Sequence, residues 1–388
     1  MLRLVVFVAA LSLARGAFGF QFQSVANMGP ELSARFGMDY TALGALVGAY
    51  MLPGIVAALP EGMLGRRFGE RPVVGAGLAL MAVGSVVAAG WFTPGSFTGD
   101  SFTAGGIWAG RMIAGTGAVA LIVLQGKMVS DRVQGAAFMT VMGFLVGAFP
   151  IGVGLVGLSH DAAEAAFGPA GLFVVGAVPA VLALVLFWPA AGRDVAPRAA
   201  WAWPSRGECA RVVVAGLTWT AYNAGYYGFL SYMPSLMAVR GDTGASTVLA
   251  VATWTNLPAA VAGGVLAGRF GNTPVMVVAS VSGAVSLVGA AAVDAPLVWA
   301  CLFGLLGSLH AGVIVGVGTL SARPENRAVG MGMFYTTYYI GGAVFPAICG
   351  AAADWSGSPA GAMVAAAGLT LFTVPAYLAQ RRMARGVA

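Results

Sequence analysis

The chain has 388 residues, of which 59% are hydrophobic and 9% charged, against roughly 25% charged in an ordinary soluble domain. With a mean hydropathy of +0.86, this composition excludes a soluble globular enzyme. The excess of 20 Lys+Arg over 14 Asp+Glu reads as membrane orientation signals rather than as a nucleic-acid surface.

A membrane-spanning helix needs about 20 apolar residues. Apolar runs between polar punctuation predict twelve, near residues 4–28, 43–64, 72–92, 104–126, 136–158, 169–192, 210–234, 247–267, 275–293, 297–320, 328–350 and 359–380. The run after Arg3 also has the look of a cleavable leader. Removing it would leave an odd number of spans and invert the charge pattern, so it is read as the first membrane helix. With the N-terminus inside, sixteen of the 20 Lys+Arg fall in inner segments, among them Arg66, Arg67, Arg71, Arg381, Arg382 and Arg385. The outer loops hold only Arg35 and Arg240, which predicts both termini in the cytoplasm. The 58 glycines suit close packing of helices in lipid. Cys209, Cys301 and Cys349 have neither metal-ligand spacing nor the pattern of a disulfide framework, so no metal and no cofactor are expected.

The chain repeats itself. GMLGRRFGERPV from Gly62 aligns without a gap on GVLAGRFGNTPV from Gly264, pairing Gly62, Arg67, Phe68, Gly69 and Pro72 with Gly264, Arg269, Phe270, Gly271 and Pro274. Phe149-Pro150 and Phe345-Pro346 are a second such pair. The repeat predicts two six-span halves in parallel orientation, 1–192 and 210–388, joined by a cytoplasmic linker over 193–209. Transporters built this way bind substrate near the midplane between the halves and expose it alternately.

On these residues the chain resembles a major facilitator superfamily transporter over essentially its whole length. The Gly62–Arg71 segment is similar to the family's loop between helices 2 and 3, and Arg111-Met-Ile-Ala-Gly115-Thr-Gly117 to its helix 4 signature. The polar end of the first span, followed by Asn27-Met-Gly-Pro-Glu, resembles the cyanate permease-related branch. The resemblance implies an all-α membrane fold of twelve helices, a cavity lined by helices 1, 4, 7 and 10, and gating roles for Gly62, Arg67, Gly69, Arg71, Gly264, Arg269 and Gly271. The chain departs from the pattern where the family's acidic loop residue is replaced by Arg66 in one half and Gly268 in the other, so a different latch, or a looser one, is expected.

An ionisable side chain inside the membrane is costly unless it meets water or a partner, and is a functional candidate by default. Arg15, Arg111 and His310 fall within spans, whereas all 14 acids are placed in loops or at span ends. Twelve residues separate Arg15 from Arg3, roughly 18 Å at 1.5 Å per residue, which puts it near mid-depth. Positive groups with no embedded counter-ion invite an anion. Arg111 is read either as a substrate contact or as a packing group on backbone carbonyls, and His310 either as a core histidine or as a proton carrier. Gly19 and Phe22 share the face of Arg15 with Gln23 beside it, while Asn223, Tyr226 and Tyr227, and again Tyr335, Tyr338 and Tyr339, stand at i, i+3 and i+4. These groups are expected to bind substrate through amides and hydroxyls, with packing as the alternative.

The sequence therefore predicts a secondary active transporter of a small organic or inorganic anion in a bacterial-type inner membrane. It is expected to be monomeric, with the lipid bilayer, the anion and a proton or counter-transported anion as its partners. The rival within the superfamily is a proton-coupled drug efflux antiporter, which normally needs a buried acid. A membrane enzyme and a signalling receptor lack any supporting cluster or appended domain.

Overall fold

The computed structural model describes residues 2–90, 102–133, 136–192, 204–323 and 327–385, and every regular element among them is an α-helix. In chain order these are α1 (Leu2–Asn27), α2 (Gly29–Phe36), α3 (Tyr40–Gly48), α4 (Leu52–Phe68), α5 (Glu70–Ala88), α6 (Ala104–Ser130), α7 (Ala136–Phe167) and α8 (Gly171–Ala191). They continue with α9 (Arg206–Arg240), α10 (Ala245–Trp254), α11 (Asn256–Phe270), α12 (Asn272–Ala292), α13 (Pro296–Leu305), α14 (Ala311–Leu320), α15 (Arg327–Ser356), α16 (Pro359–Leu371) and α17 (Thr373–Arg385). The fold is that of an all-α integral membrane protein with twelve helical columns. Four columns are broken in mid-course, as α3/α4, α10/α11, α13/α14 and α16/α17; α2 is a short helix between the first two columns. Nine of the columns are long and apolar enough to span a bilayer. The other three are α9, α13/α14 and α15, and they carry the candidate residues Asn223, His310 and Tyr335.

The repeat in sequence is a repeat in backbone. Gly69 joins α4 to α5 at φ +95° and Gly271 joins α11 to α12 at φ +85°, a region that L side chains rarely adopt. Each glycine N–H closes the preceding helix on the carbonyl four residues back, Gly65 and Ala267 respectively. The arginine two residues earlier lies over the neighbouring ring in both copies, Arg67 on Phe68 at 5.2 Å and Arg269 on Phe270 at 5.4 Å.

By their contacts the residues form two compact units, Met1–Val25 with Ala49–Ala199, and Ala26–Gly48 with Ala200–Ala388. The expected linker over 193–209 lies for the most part outside the described residues. In the first unit α5 and α6 approach backbone to backbone, because Gly77 faces Gly117 and Gly84 faces Gly110 and no side chain holds them apart. At one end of this pair Lys127 bridges Glu70 at 2.5 Å and Asp131 at 2.8 Å. The last carbonyls of α8 are satisfied by arginines: Arg3 donates to Pro189 O (3.1 Å) and Arg132 to Ala191 O (2.8 Å).

In the second unit α9 is the central helix, started by a capping box in which Ser205 Oγ accepts from Glu208 N and Glu208 Oε2 accepts from Ser205 N. The other Glu208 oxygen accepts from Arg323 N just beyond α14. Helix α3 lies on α15 with Gly44 and Gly48 against the carbonyls of Pro346 and Ala343. The carboxylate of Asp354 accepts from the N–H groups of Tyr40 (2.9 Å) and Thr41 (2.8 Å) at the start of α3. Aligned peptide dipoles favour an anion there.

Candidate functional site

Arg15 sits at the middle of α1, thirteen residues from Leu2 and twelve from Asn27, so about 18–20 Å separates it from either end. It is half-buried, its Nε is fully enclosed without a hydrogen-bond partner, and its guanidinium makes no hydrogen bond or ion pair among the described residues. Of the predicted neighbours on its face, Gly19 is pressed against the backbone of Phe149 on α7, where a Cβ would overlap the carbonyl. Phe22 is buried among Phe18, Tyr50 and Phe149, and Gln23 is buried. Gly19 therefore sets the spacing between α1 and α7.

Arg111 is placed differently. It is buried on α6, donating to the carbonyls of Gln21 (3.1 Å) and Phe22 (3.2 Å) on α1 while its guanidinium lies 5.2 Å from the ring centre of Tyr50. Tyr50 in turn donates to Gln21 Oε1 (2.7 Å), and Gln21 Nε2 donates to Gly176 O (2.8 Å) and Met81 O (3.2 Å). Gln21, Ser24, Tyr50, Ser85 and Phe173 surround the guanidinium in a cleft of only about 10 Å³, enough for at most about one water. This network ties α1 to α5, α6 and α8. Arg111→Ala is expected to destabilise the unliganded protein by about 2–4 kcal/mol, since it removes two charge-assisted bonds and leaves a cavity. Thermal unfolding in detergent measures this; a variant that melts like wild type but no longer binds anions would make Arg111 a substrate contact instead.

In the second unit the two tyrosine groups meet. The Tyr227 and Tyr338 hydroxyls hydrogen-bond, and Tyr338 packs against both Tyr335 and Tyr339 at ring separations of 6.2 and 5.3 Å. Tyr226 stacks on Tyr222 and on Phe303. Asn223 uses its amide on its own helix, donating to Trp219 O at 2.7 Å. His310 occupies the break between α13 and α14, fully buried and edge-on to the Tyr222 ring at 4.9 Å. Neither ring nitrogen has a partner among the described residues, nor do the Tyr226 hydroxyl and the Trp219 indole N–H. Trp219, Tyr222, Tyr226 and His310 thus form one aromatic face with several unanswered polar atoms.

Some of these residues were not foreseen. Trp219 and Tyr222 stand one turn before Asn223 and Tyr226, a signal visible in the sequence as an aromatic stripe at helical spacing. Tyr50 and Gln21 could be found only through Arg111. Glu61 is a correction: expected at a span end, it lies seven residues inside the end of α4, roughly 10 Å in, 7% exposed and with Oε2 unpartnered. The helix runs on to Phe68, while the apolar stretch of this column ends at Gly65, four residues beyond Glu61. Among the expected gating residues, Gly62 faces Val123 on α6, Gly264 has open space, Arg67 and Arg269 are exposed, and Arg71 lies 4.5 Å from the ring centre of Trp188.

Residues 11–346 match the family model described as Major Facilitator Superfamily. The chain belongs to the major facilitator superfamily. The protein is accordingly a transporter, and its membrane columns are those of that fold. It superposes on the xylose transporter XylE from E. coli, in a partially occluded inward-open conformation, with a TM-score of 0.71 at 18% identity over 96% of this chain and 97% of that one. A variant of the nucleoside transporter NupG gives a TM-score of 0.73 at 13% identity, over 97% and 99% of the two chains. At these identities the likeness is one of fold. No curated protein matches the sequence.

Proposed function

We propose that this superfamily member is a secondary active transporter of a small organic or inorganic anion, working by alternating access. One observation carries the reading: at the mid-depth of α1, the guanidinium of Arg15 has no hydrogen bond or ion pair among the described residues. An unpaired cation there costs several kcal/mol, and an anionic substrate supplies the missing partner through bidentate, charge-assisted bonds. Tyr226 and His310, with their unpaired polar atoms, are the second unit's candidates for substrate contact. We assign Arg111 to holding α1 in place, because both terminal nitrogens of its guanidinium donate to α1 carbonyls. The distribution of arginines between loops supports a plasma-membrane protein with both termini in the cytoplasm, and the residues after α1 support a place near the cyanate permease-related branch.

A proton-coupled drug efflux antiporter is the second reading, favoured by the buried and partly unpaired carboxylate of Glu61. Thermal unfolding of the purified protein against a panel of small anions and cationic drugs separates the two. Stabilisation by one class of anion is the expected result. Stabilisation by cationic drugs alone, lost in Glu61→Gln, would overturn it in favour of efflux.

A further inference from the structure

A groove on the first unit faces outward between α5 and α8, near the junction of Arg71 with Pro72, and has a volume of about 620 Å³. Its walls are Pro72, Gly75, Ala76, Leu184, Val185 and Trp188, almost wholly apolar. Gly75 creates the space. A Cβ there would stand 2.7 Å from the Trp188 indole, so only glycine lets that ring lie flat along α5. The same face of α8 continues in the exposed Val178, Val181, Leu182 and Val185, a surface that in a membrane protein meets lipid chains.

Two arginines stand at one end of the groove. Arg71 stacks its guanidinium on the Trp188 ring at 4.5 Å, and Arg3 donates to the carbonyl of the next residue, Pro189. Arg3 is exposed and gives only this one bond among the described residues, leaving further N–H donors of its guanidinium. The neighbouring acid, Glu70, is already answered by Lys127 at 2.5 Å. Two arginines anchored on consecutive residues, at the mouth of an apolar groove open to the bilayer, make a composite surface: phosphate-sized and cationic at one end, chain-sized and apolar along the rest.

We propose that this groove binds an anionic phospholipid, its phosphate held by Arg71 and Arg3 and one acyl chain laid past Trp188 along Gly75, Ala76 and Val185. Basic pockets between membrane helices take anionic headgroups for this reason. A zwitterionic lipid brings its own ammonium group into the same positive field and loses the advantage. The indole face serves both ends, stacking on Arg71 and forming the wall for the chain. The site is independent of what the transporter carries.

The test is native mass spectrometry of the whole, delipidated protein in an uncharged detergent, titrated with phosphatidylglycerol, with phosphatidylcholine of the same chains and with inorganic phosphate. One phosphatidylglycerol per chain is expected to be retained in preference to phosphatidylcholine. Arg71→Gln should weaken that retention roughly fivefold. Ala76→Phe, at an exposed position on the groove wall, should displace the lipid by filling the space of its chain. Equal retention of the two lipids, or retention unchanged in both variants, would overturn the proposal. Inorganic phosphate that competes the lipid away at similar concentration would reduce the site to a simple anion contact and overturn it also.

Discussion

Arg15→Gln is expected to abolish stabilisation by the anionic substrate while leaving the unliganded protein folded and at least as stable as wild type. The reasoning starts from what the guanidinium does without substrate, which is nothing that holds the fold: it has no hydrogen bond or ion pair among the described residues. Removing a half-buried cation at mid-depth takes away an unfavourable term, so the melting temperature of the empty protein should stay level or rise. With substrate bound the balance reverses. Hydrogen bonds to a charged group contribute about 1.5–3 kcal/mol each, so losing one should lower affinity roughly 10- to 150-fold. Arg15→Lys keeps the charge but not the planar fork, and should retain a part of the binding. Uptake into proteoliposomes should follow the same order. An undiminished anion-dependent shift in Arg15→Gln would remove the central support of the proposed function.

Gly263→Val is expected to prevent assembly of the second unit, whereas Gly264→Val one residue on should be tolerated. Gly263 on α11 packs on the carbonyl of Leu309, inside the break between α13 and α14, and an added Cβ would fall within that carbonyl. Backbone cannot swing aside as a flexible side chain can, and the break is held from the other side by Gly307 close to Gly283 of α12. Overpacking costs typically about 1–3 kcal/mol where side chains can adjust, and here the obstruction is main chain on both sides. At Gly264 nothing lies within 4 Å of the added atom, so its outward-facing side chain would meet only lipid. Size-exclusion profiles of the two variants in detergent should differ sharply, an aggregated or absent peak against a wild-type one. If both behave like wild type, the close approach of α11 to the helix break does not exist.

Much of this was legible along the chain. The membrane class followed from composition, because bilayer thickness sets a length of apolar run that no other solvent demands. The Gly62 and Gly264 segments announced a duplicated architecture, and the structure repeats it down to the positive φ of Gly69 and Gly271 and the arginine on the adjacent ring. Helical periodicity put the tyrosines of α9 on one face and those of α15 on another, since i, i+3 and i+4 positions share a side of any helix; that Tyr227 and Tyr338 meet is a finding of the structure. The mid-depth of Arg15 needed only the rise per residue.

What the chain alone could not show is which polar groups already have partners. Arg15 and Arg111 look alike as isolated arginines in apolar runs, yet one has no partner among the described residues and the other is bonded to two carbonyls in a network with Gln21 and Tyr50. Those partners stand 90 and 89 residues away in sequence, and no local pattern encodes a carbonyl as an acceptor for a distant side chain. The same holds for the break at His310, where glycines of α11 and α12 press against Leu309 and Gly307, and for the burial of Glu61. Membrane insertion, helix number and duplication were determined by the sequence itself, because each depends on local hydrophobicity and spacing. Only the tertiary structure decided which buried charges have partners among the described residues, because pairing depends on distances between helices that the linear order does not contain.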